Sequence, residues 1–302
     1  MKIRIFFISI ILVAVSQLSY AIRNDFYFDI SPLIEKNKMF SVGIGGIYYE
    51  YNSWFQDYKL YINDPLDQNI SKRNLSFTFM PYFMVRPINF VELGVSASFL
   101  YQRQDSRQDL TGLTNMTDSF SFDAINATAK VTFLDWYLSL GAKVGMSYNF
   151  SKSILGENRD AFNFNGAFLL GIVPKVIPIN ILFAYVFDTR DNLQRDILEL
   201  GEIIGGIEII TSPFITLYTG VSYVFPYQPK KRNYSYLEPF VKFKATISDF
   251  LYMTITYRKV VLGTGNTPNT STVDFSIEYM FYGPGDWWYL GRPKEKRRQY
   301  DY

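Results

Sequence analysis

Charged residues stand singly inside otherwise oily stretches of this chain, as in Ala129-Lys130-Val131, Ala142-Lys143-Val144, Val241-Lys242-Phe243-Lys244 and Tyr257-Arg258. Arg86, Glu92, Asp123, Glu202, Glu208, Glu238, Asp274 and Glu278 occupy the same kind of setting. Side chains of these types can pair with one another, hydrogen-bond a polar solute or hold water. Buried and unpaired, they would be very costly. Acid–base chemistry near neutral pH is poorly served, because the chain has no histidine, and the absence of cysteine removes thiol nucleophiles and thiolate metal sites. No nucleophile elbow or phosphate loop occurs, and Gly43-Ile44-Gly45-Gly46 lies within a strand pattern as small residues at a bend. Asn63-Asp64-Pro65-Leu66-Asp67 has oxygen ligands suited to calcium, as many loops do. No catalytic residue, metal or cofactor is expected.

The elements that carry these charges are strands. In Phe90–Tyr101, Val91, Leu93, Val95, Ala97, Phe99 and Tyr101 share one face, and Glu92, Gly94, Ser96 and Ser98 share the other. The spacing predicts twelve such strands, at 39–51, 74–86, 90–102, 119–132, 136–150, 161–172, 178–188, 196–210, 214–225, 235–247, 250–261 and 271–282. Strands of soluble sheets average about 5–6 residues; these suit the roughly 9–11 residues of a tilted strand that crosses a bilayer. The phase slips at Gly45-Gly46, Ala124-Ile125 and Glu202-Ile203, where bulges are expected, since one extra residue reverses every later side chain.

Connections alternate in length. Pro87–Asn89, Leu134–Asp135, Val173–Val176, Thr211–Pro213 and Ser248–Asp249 are tight, whereas Asn52–Arg73, Arg103–Asp118, Ser151–Asp160, Thr189–Arg195, Pro226–Tyr234 and Gly263–Thr270 are longer and polar. Aromatic residues collect at strand ends. Phe90, Phe133, Trp136, Phe214, Phe250 and Tyr282 adjoin the tight turns, and Tyr49, Tyr51, Tyr101, Phe120, Phe122, Tyr148, Phe150, Tyr185, Tyr223 and Tyr257 adjoin the long loops. Amphipathic rings at both ends of an apolar band are the pattern of two membrane interfaces.

Lys2 and Arg4, the apolar run Ile5–Val15 and the small-x-small site Ser19-Tyr20-Ala21 predict an export signal at 1–21, too short to span a membrane as a helix. Without it the 30 basic residues fall to 28, against 28 acidic, so nothing electrostatic favours nucleic acid as a partner. Aromatics make up 18% of residues and hydrophobics only 48%, too few for a helical membrane protein.

The alternating strands and the short/long turn pattern resemble the general class of bacterial outer-membrane β-barrels over residues 39–282. The resemblance implies an all-β, transmembrane, antiparallel up-and-down barrel of about twelve strands, with short periplasmic turns, longer extracellular loops and a lipid contact in the outer membrane of a diderm bacterium. Val273-Phe275-Ile277-Tyr279-Phe281 resembles the closing-strand signal of such barrels, which implies the barrel-assembly machinery as a partner of 273–281, although some twenty residues follow it here. The barrel enzymes of this class (phospholipases, lipid A deacylases and Asp/His proteases) rely on a histidine, so no enzyme is expected. Residues 22–38 are read as a periplasmic lead-in or plug and 283–302 as a basic periplasmic tail.

Two functions follow for the inward charges Arg86, Glu92, Lys130, Lys143, Glu202, Glu238, Lys242, Lys244, Arg258 and Glu278. They line a narrow passive channel for small polar solutes, with Lys143, Lys242 and Lys244 favouring anions, or they form a network that fills the barrel. Tyr82, Tyr218, Phe240 and Tyr252 also face inward. In the alternative the barrel is a surface or structural protein whose loops meet partners through Trp54 and Phe55, and through Lys230, Lys231 and Arg232. The sequence leaves the oligomeric state open.

Overall fold

A strand whose oily face meets lipid finds no water for its backbone, so each must pair along both edges. The computed structural model meets that requirement by closure. It describes residues 31–34, 38–56, 58–61, 70–88, 90–108, 111, 113–150, 162–174, 177–188, 200–212, 214–226, 235–248, 250–265 and 267–282. These contain β1 (Lys38–Tyr51), β2 (Trp54–Gln56), β3 (Lys59–Tyr61), β4 (Ile70–Ile88), β5 (Val91–Gln108), β6 (Thr114–Leu134), β7 (Leu138–Asn149) and β8 (Phe162–Ile172). There follow β9 (Ile179–Asp188), β10 (Leu200–Ser212), β11 (Ile215–Pro226), β12 (Ser235–Ser248), β13 (Leu251–Lys259), β14 (Leu262–Thr264), β15 (Thr267–Pro268) and β16 (Ser271–Tyr282).

Twelve of these run β1-β4-β5-β6-β7-β8-β9-β10-β11-β12-β13-β16, and β16 returns to β1 in antiparallel register, with Ile44 opposite Ile277. The predicted export signal, the tail 283–302 and the loop residues Lys230, Lys231 and Arg232 lie outside the described residues.

Alternation sorts the side chains as the sequence requires. Val95, Ile125, Ile203, Val241 and Ile277 stand exposed on the outer surface, while Ser96, Asn126, Glu202 and Asp274 on the neighbouring phase are buried inside. A continuous apolar band on the outside of a closed sheet is a surface for lipid tails. Its upper edge is aromatic: Phe99 stacks on Phe120 at 6.5 Å between ring centroids, Phe122 meets Phe150 at 4.9 Å, and Phe150 meets Tyr148 at 4.8 Å. At the other edge Phe133, Trp136, Phe214 and Phe250 are exposed beside the tight turns.

One of the three expected bulges is present. Ser98 pairs with Ala124 but Phe99 with Phe122, so Asp123 is the extra residue in β6. At Gly45-Gly46 and at Glu202-Ile203 the register runs through without a break. The bulges were expected there because an apolar side chain falls on the inner phase. The strands stay regular and the apolar side chains simply point inward: Ile47 lies opposite Asp274, Tyr49 opposite Thr272, and Ile204 is buried. Tyr49 therefore leaves the predicted outer girdle, as does Tyr51, which packs edge-on against Trp54 at 5.7 Å.

Two predicted loops are more ordered than expected. β4, β5 and β6 run for 19, 18 and 21 residues, beyond the roughly 9–11 that a bilayer needs, and so overhang the membrane. Much of Arg103–Asp118 is paired strand, with Arg103 opposite Asp118 and Arg73 opposite Asp105. Polar sequence does not weaken a ladder built from backbone groups. In the Asn52–Arg73 connection, β2 and β3 form a hairpin that takes β15 as its third strand. Trp54 and Phe55 are only 8% and 7% exposed, so they are not the outward anchors expected of them. Phe55 packs on Val224, Tyr236 and Val260 at the barrel rim. The hairpin is locked to the β13–β16 connection by Tyr58 N–H donating to Gly263 O (3.0 Å) and Asn269 N–H donating to Ser53 O (2.8 Å).

Lipid contact gives a direct test. Val241→Lys should lower unfolding stability in lipid vesicles by about 2–4 kcal/mol, the penalty for a cation near the bilayer midplane, measured by urea titration of tryptophan fluorescence. An unchanged midpoint would mean that Val241 does not face lipid.

Candidate functional site: the barrel lumen

Every described charged residue predicted to face inward does occupy the inner phase of its strand. β4 supplies Arg86, β5 Glu92, β6 Lys130, β7 Lys143, β10 Glu202, β12 Glu238, Lys242 and Lys244, β13 Arg258 and β16 Glu278. The structure groups them by height, which sequence spacing alone did not reveal.

Toward the external side, Arg258 is 1% exposed and sits between β12 and β16. Its Nε and Nη2 donate to the two carboxylate oxygens of Asp274, at 3.0 and 3.2 Å, and its Nη1 lies 3.5 Å from Glu238 Oε2. A planar guanidinium that takes one carboxylate with two parallel bonds is a rigid, directional pair. Glu202 accepts a short hydrogen bond from the Ser222 hydroxyl, and the bulge residue Asp123 accepts one from Ser98 Oγ at 3.3 Å.

Nearer the tight turns the balance is basic. Arg86 binds Glu92 Oε2 through Nη2 (2.5 Å) and Nε (2.6 Å) across the β4–β5 turn. Glu92 stands opposite Lys130, and Lys130 stands opposite Lys143 on the next strand. Two lysines directly opposed repel each other. On the far wall Lys244 Nζ lies 5.1 Å from the Tyr252 ring centroid, within cation–π range. Glu208 accepts from Asn180 Nδ2 at 2.6 Å. Among the described residues, the inner charges of this half are Arg86, Lys130, Lys143 and Lys244 with Glu92, Glu208 and Glu278, and Lys242 shares a rung with Asp274, both opposite Thr256. Arg86 Nη1 and Glu278 Oε1 are buried without a hydrogen-bond partner.

The sequence reading missed an apolar inner wall. Ala167 and Leu169 of β8, Leu182 and Ala184 of β9, Ile204 of β10, Tyr218 of β11 and Phe240 of β12 pack as one buried cluster. The Tyr218 and Phe240 rings, 5.2 Å apart, lie over Gly206 and Gly220 of the neighbouring strands, where a Cβ would collide. A signal existed. β9 reads Ile-Asn-Ile-Leu-Phe-Ala-Tyr-Val-Phe-Asp, nearly continuous apolar sequence, as in a strand covered on both faces.

A second contact escaped the sequence. Pro32 is fully buried, and its carbonyl accepts from Thr132 Oγ1 at 2.6 Å while the Leu33 carbonyl accepts from Lys130 Nζ at 2.9 Å. Thr132 and Lys130 lie on the inner phase, opposite the outward Val131 and Phe133. Among the described residues no cluster of three or more carboxylates could hold a metal.

Comparison with solved structures places this geometry. An outer-membrane channel from Pseudomonas putida F1 superposes with a TM-score of 0.53 at 12% identity, covering 82% of this chain and 97% of that one. The chain has the outer-membrane β-barrel fold. The transport unit of the autotransporter AIDA-I from Escherichia coli is similar too, with a TM-score of 0.52 at 10% identity over 82% of this chain and 92% of that one. No protein-family profile matches the sequence, and no curated protein matches it.

The Arg258 clasp should be structural. Arg258→Met removes the guanidinium that Asp274 and Glu238 share in a buried site and should cost about 3–5 kcal/mol. Adding Asp274→Asn and Glu238→Gln should recover much of it. Urea unfolding of the single and triple variants checks both; equal losses would show that burial of the carboxylates is not the cause.

Proposed function

We propose that the protein is a narrow passive channel of the outer membrane of a diderm bacterium, passing small polar solutes and favouring anions. The carrying observation is the basic character of the turn-proximal half of the lumen, where among the described residues Arg86, Lys130, Lys143 and Lys244 share the wall with Glu92, Glu208 and Glu278 and Lys143 stands directly opposite Lys130. A lumen built only for packing gains nothing from opposing Lys130 and Lys143, whereas a polar path uses such an excess to concentrate anions. The unpartnered Arg86 Nη1 and Glu278 Oε1 add a donor and an acceptor suited to a passing solute. The aligned Pseudomonas putida F1 barrel is itself a channel, which agrees with this reading at the level of the fold. The outward phase of residues 273–281 suits recognition by the barrel-assembly machinery.

A second reading has its own support. Leu169, Leu182, Ile204 and Phe240 are buried although they face the lumen, as in a filled barrel that works through its external surface. Tyr58, 64% exposed, and Leu60 and Tyr61 of the rim hairpin would then be the contact points in place of Trp54 and Phe55.

Planar-bilayer recording of the purified barrel separates the two. A channel gives unitary conductance, and in a salt gradient its reversal potential indicates anion preference. The Lys143→Gln/Lys242→Gln/Lys244→Gln variant should lose that preference while still conducting. A folded barrel that never conducts would overturn the channel and leave the surface role.

A further inference from the structure

The inner wall at the turn-proximal end is shaped to receive a strip of the chain's own backbone. Gly141 of β7 and Gly171 of β8 both belong to the inner phase. A Cβ at Gly141 would come within 3.1 Å of Pro32 O and 3.3 Å of Pro32 Cα, and a Cβ at Gly171 would come within 2.9 Å of Pro32 Cγ. The two glycines form a floor on which residue 32 lies directly against the sheet. At Gly141 a side chain would meet the Pro32 backbone, and at Gly171 it would meet the Pro32 ring, so with proline in place either would lift the strip off.

Above that floor two polar groups of β6 grip the segment by its carbonyls. Thr132 Oγ1 donates to Pro32 O at 2.6 Å, and Lys130 Nζ donates to Leu33 O at 2.9 Å. Lys130 is 4% exposed and Ile34 6%, so the strip and its latch are sealed together. Proline fits this position because its nitrogen brings no N–H that would need a partner. Within the strip, Leu33 N–H donates to Ser31 Oγ at 3.3 Å.

We infer that Ser31–Ile34 is an internal plug, docked in the lumen on the Gly141/Gly171 floor and latched by Lys130 and Thr132, which narrows the periplasmic end of the barrel. The docked strip also removes Lys130 from the basic belt, so its release would widen the path and return a cation to it together. The conductance consequence rests on the channel reading; the docking does not.

The chain's lack of cysteine makes a disulfide test clean. Pro32→Cys removes the ring atoms Cγ and Cδ that a Cβ at residue 171 would meet, so Pro32→Cys/Gly171→Cys brings two thiols within bridging reach, since Cβ atoms about 3.5–4.5 Å apart form disulfides. Pro32→Cys/Thr246→Cys, on the far wall, is the control. With diamide as oxidant, the first pair should close nearly completely in the folded, heat-modifiable barrel and the control pair should not. The oxidised protein should conduct several-fold less than the protein lacking residues 31–34, and reduction should raise its conductance. Failure of the first pair to close, equal closure of both pairs, or equal conductance of the oxidised and truncated proteins would overturn the plug. If no form conducts, the channel reading fails and the docking is judged by the two disulfide yields alone.

Discussion

Closure of the backbone ladder is the constraint from which the rest of this molecule follows. In hydrocarbon each unpaired N–H or C=O costs several kcal/mol, so a spanning sheet cannot have an edge. The seam between β16 and β1 completes the cylinder, and it runs without a break from Phe40 opposite Phe281 to Glu50 opposite Ser271. Once it is closed, outer side chains need only be apolar, and every strand has just one remaining direction for polar groups. Within the apolar band the lumen inherits most of them.

That inheritance explains the electrostatic layout. The interior must hold charges at low dielectric, where an isolated ion is very expensive. Arg258 answers with a two-pronged hold on Asp274 backed by Glu238, and Arg86 answers with Glu92 across a tight turn. Near the tight turns like charges are brought side by side, with Lys130 opposite Lys143, and Lys244 rests over an aromatic ring. Directly opposed like charges are the natural place to look for function, because folding gains nothing from opposing them.

The other inner wall solves a different problem. On β8 to β12 clustered aliphatic and aromatic side chains bury one another beside the charges of β10 and β12, and large rings lie over glycines on adjacent strands. Glycine there lets a neighbour's ring lie flat on the sheet, so volume moves between strands without changing the total. The same device near the tight turns, at Gly141 and Gly171, accommodates Pro32 in place of a ring. The lumen thus holds one apolar cluster among its charges, and its contents are asymmetric about the axis.

How much of this was legible follows from the range of each interaction. Face assignment in a strand is local, with period two, so Val95 outside and Ser96 inside, or Ile277 outside and Glu278 inside, could be read directly, as could the number of spanning strands. The bulge at Asp123 was nearly placed for the same reason, whereas Gly45-Gly46 and Glu202-Ile203 misled because an inward apolar residue and a slipped phase look alike along one strand. Only a partner strand distinguishes them, since the lumen's filling depends on what stands opposite. Trp54 and Phe55 read as exposed because they sit in a polar loop, yet the β2–β3 hairpin folds back onto Val224, Tyr236 and Val260 from distant parts of the chain. The sequence by itself determined that the chain spans a bilayer as strands and which residues meet lipid, because those properties repeat every second residue. Tertiary structure alone decided which lumenal charges are neutralised, where the apolar wall lies and that Pro32 rests on Gly141 and Gly171, because each depends on side chains brought together across the closed cylinder.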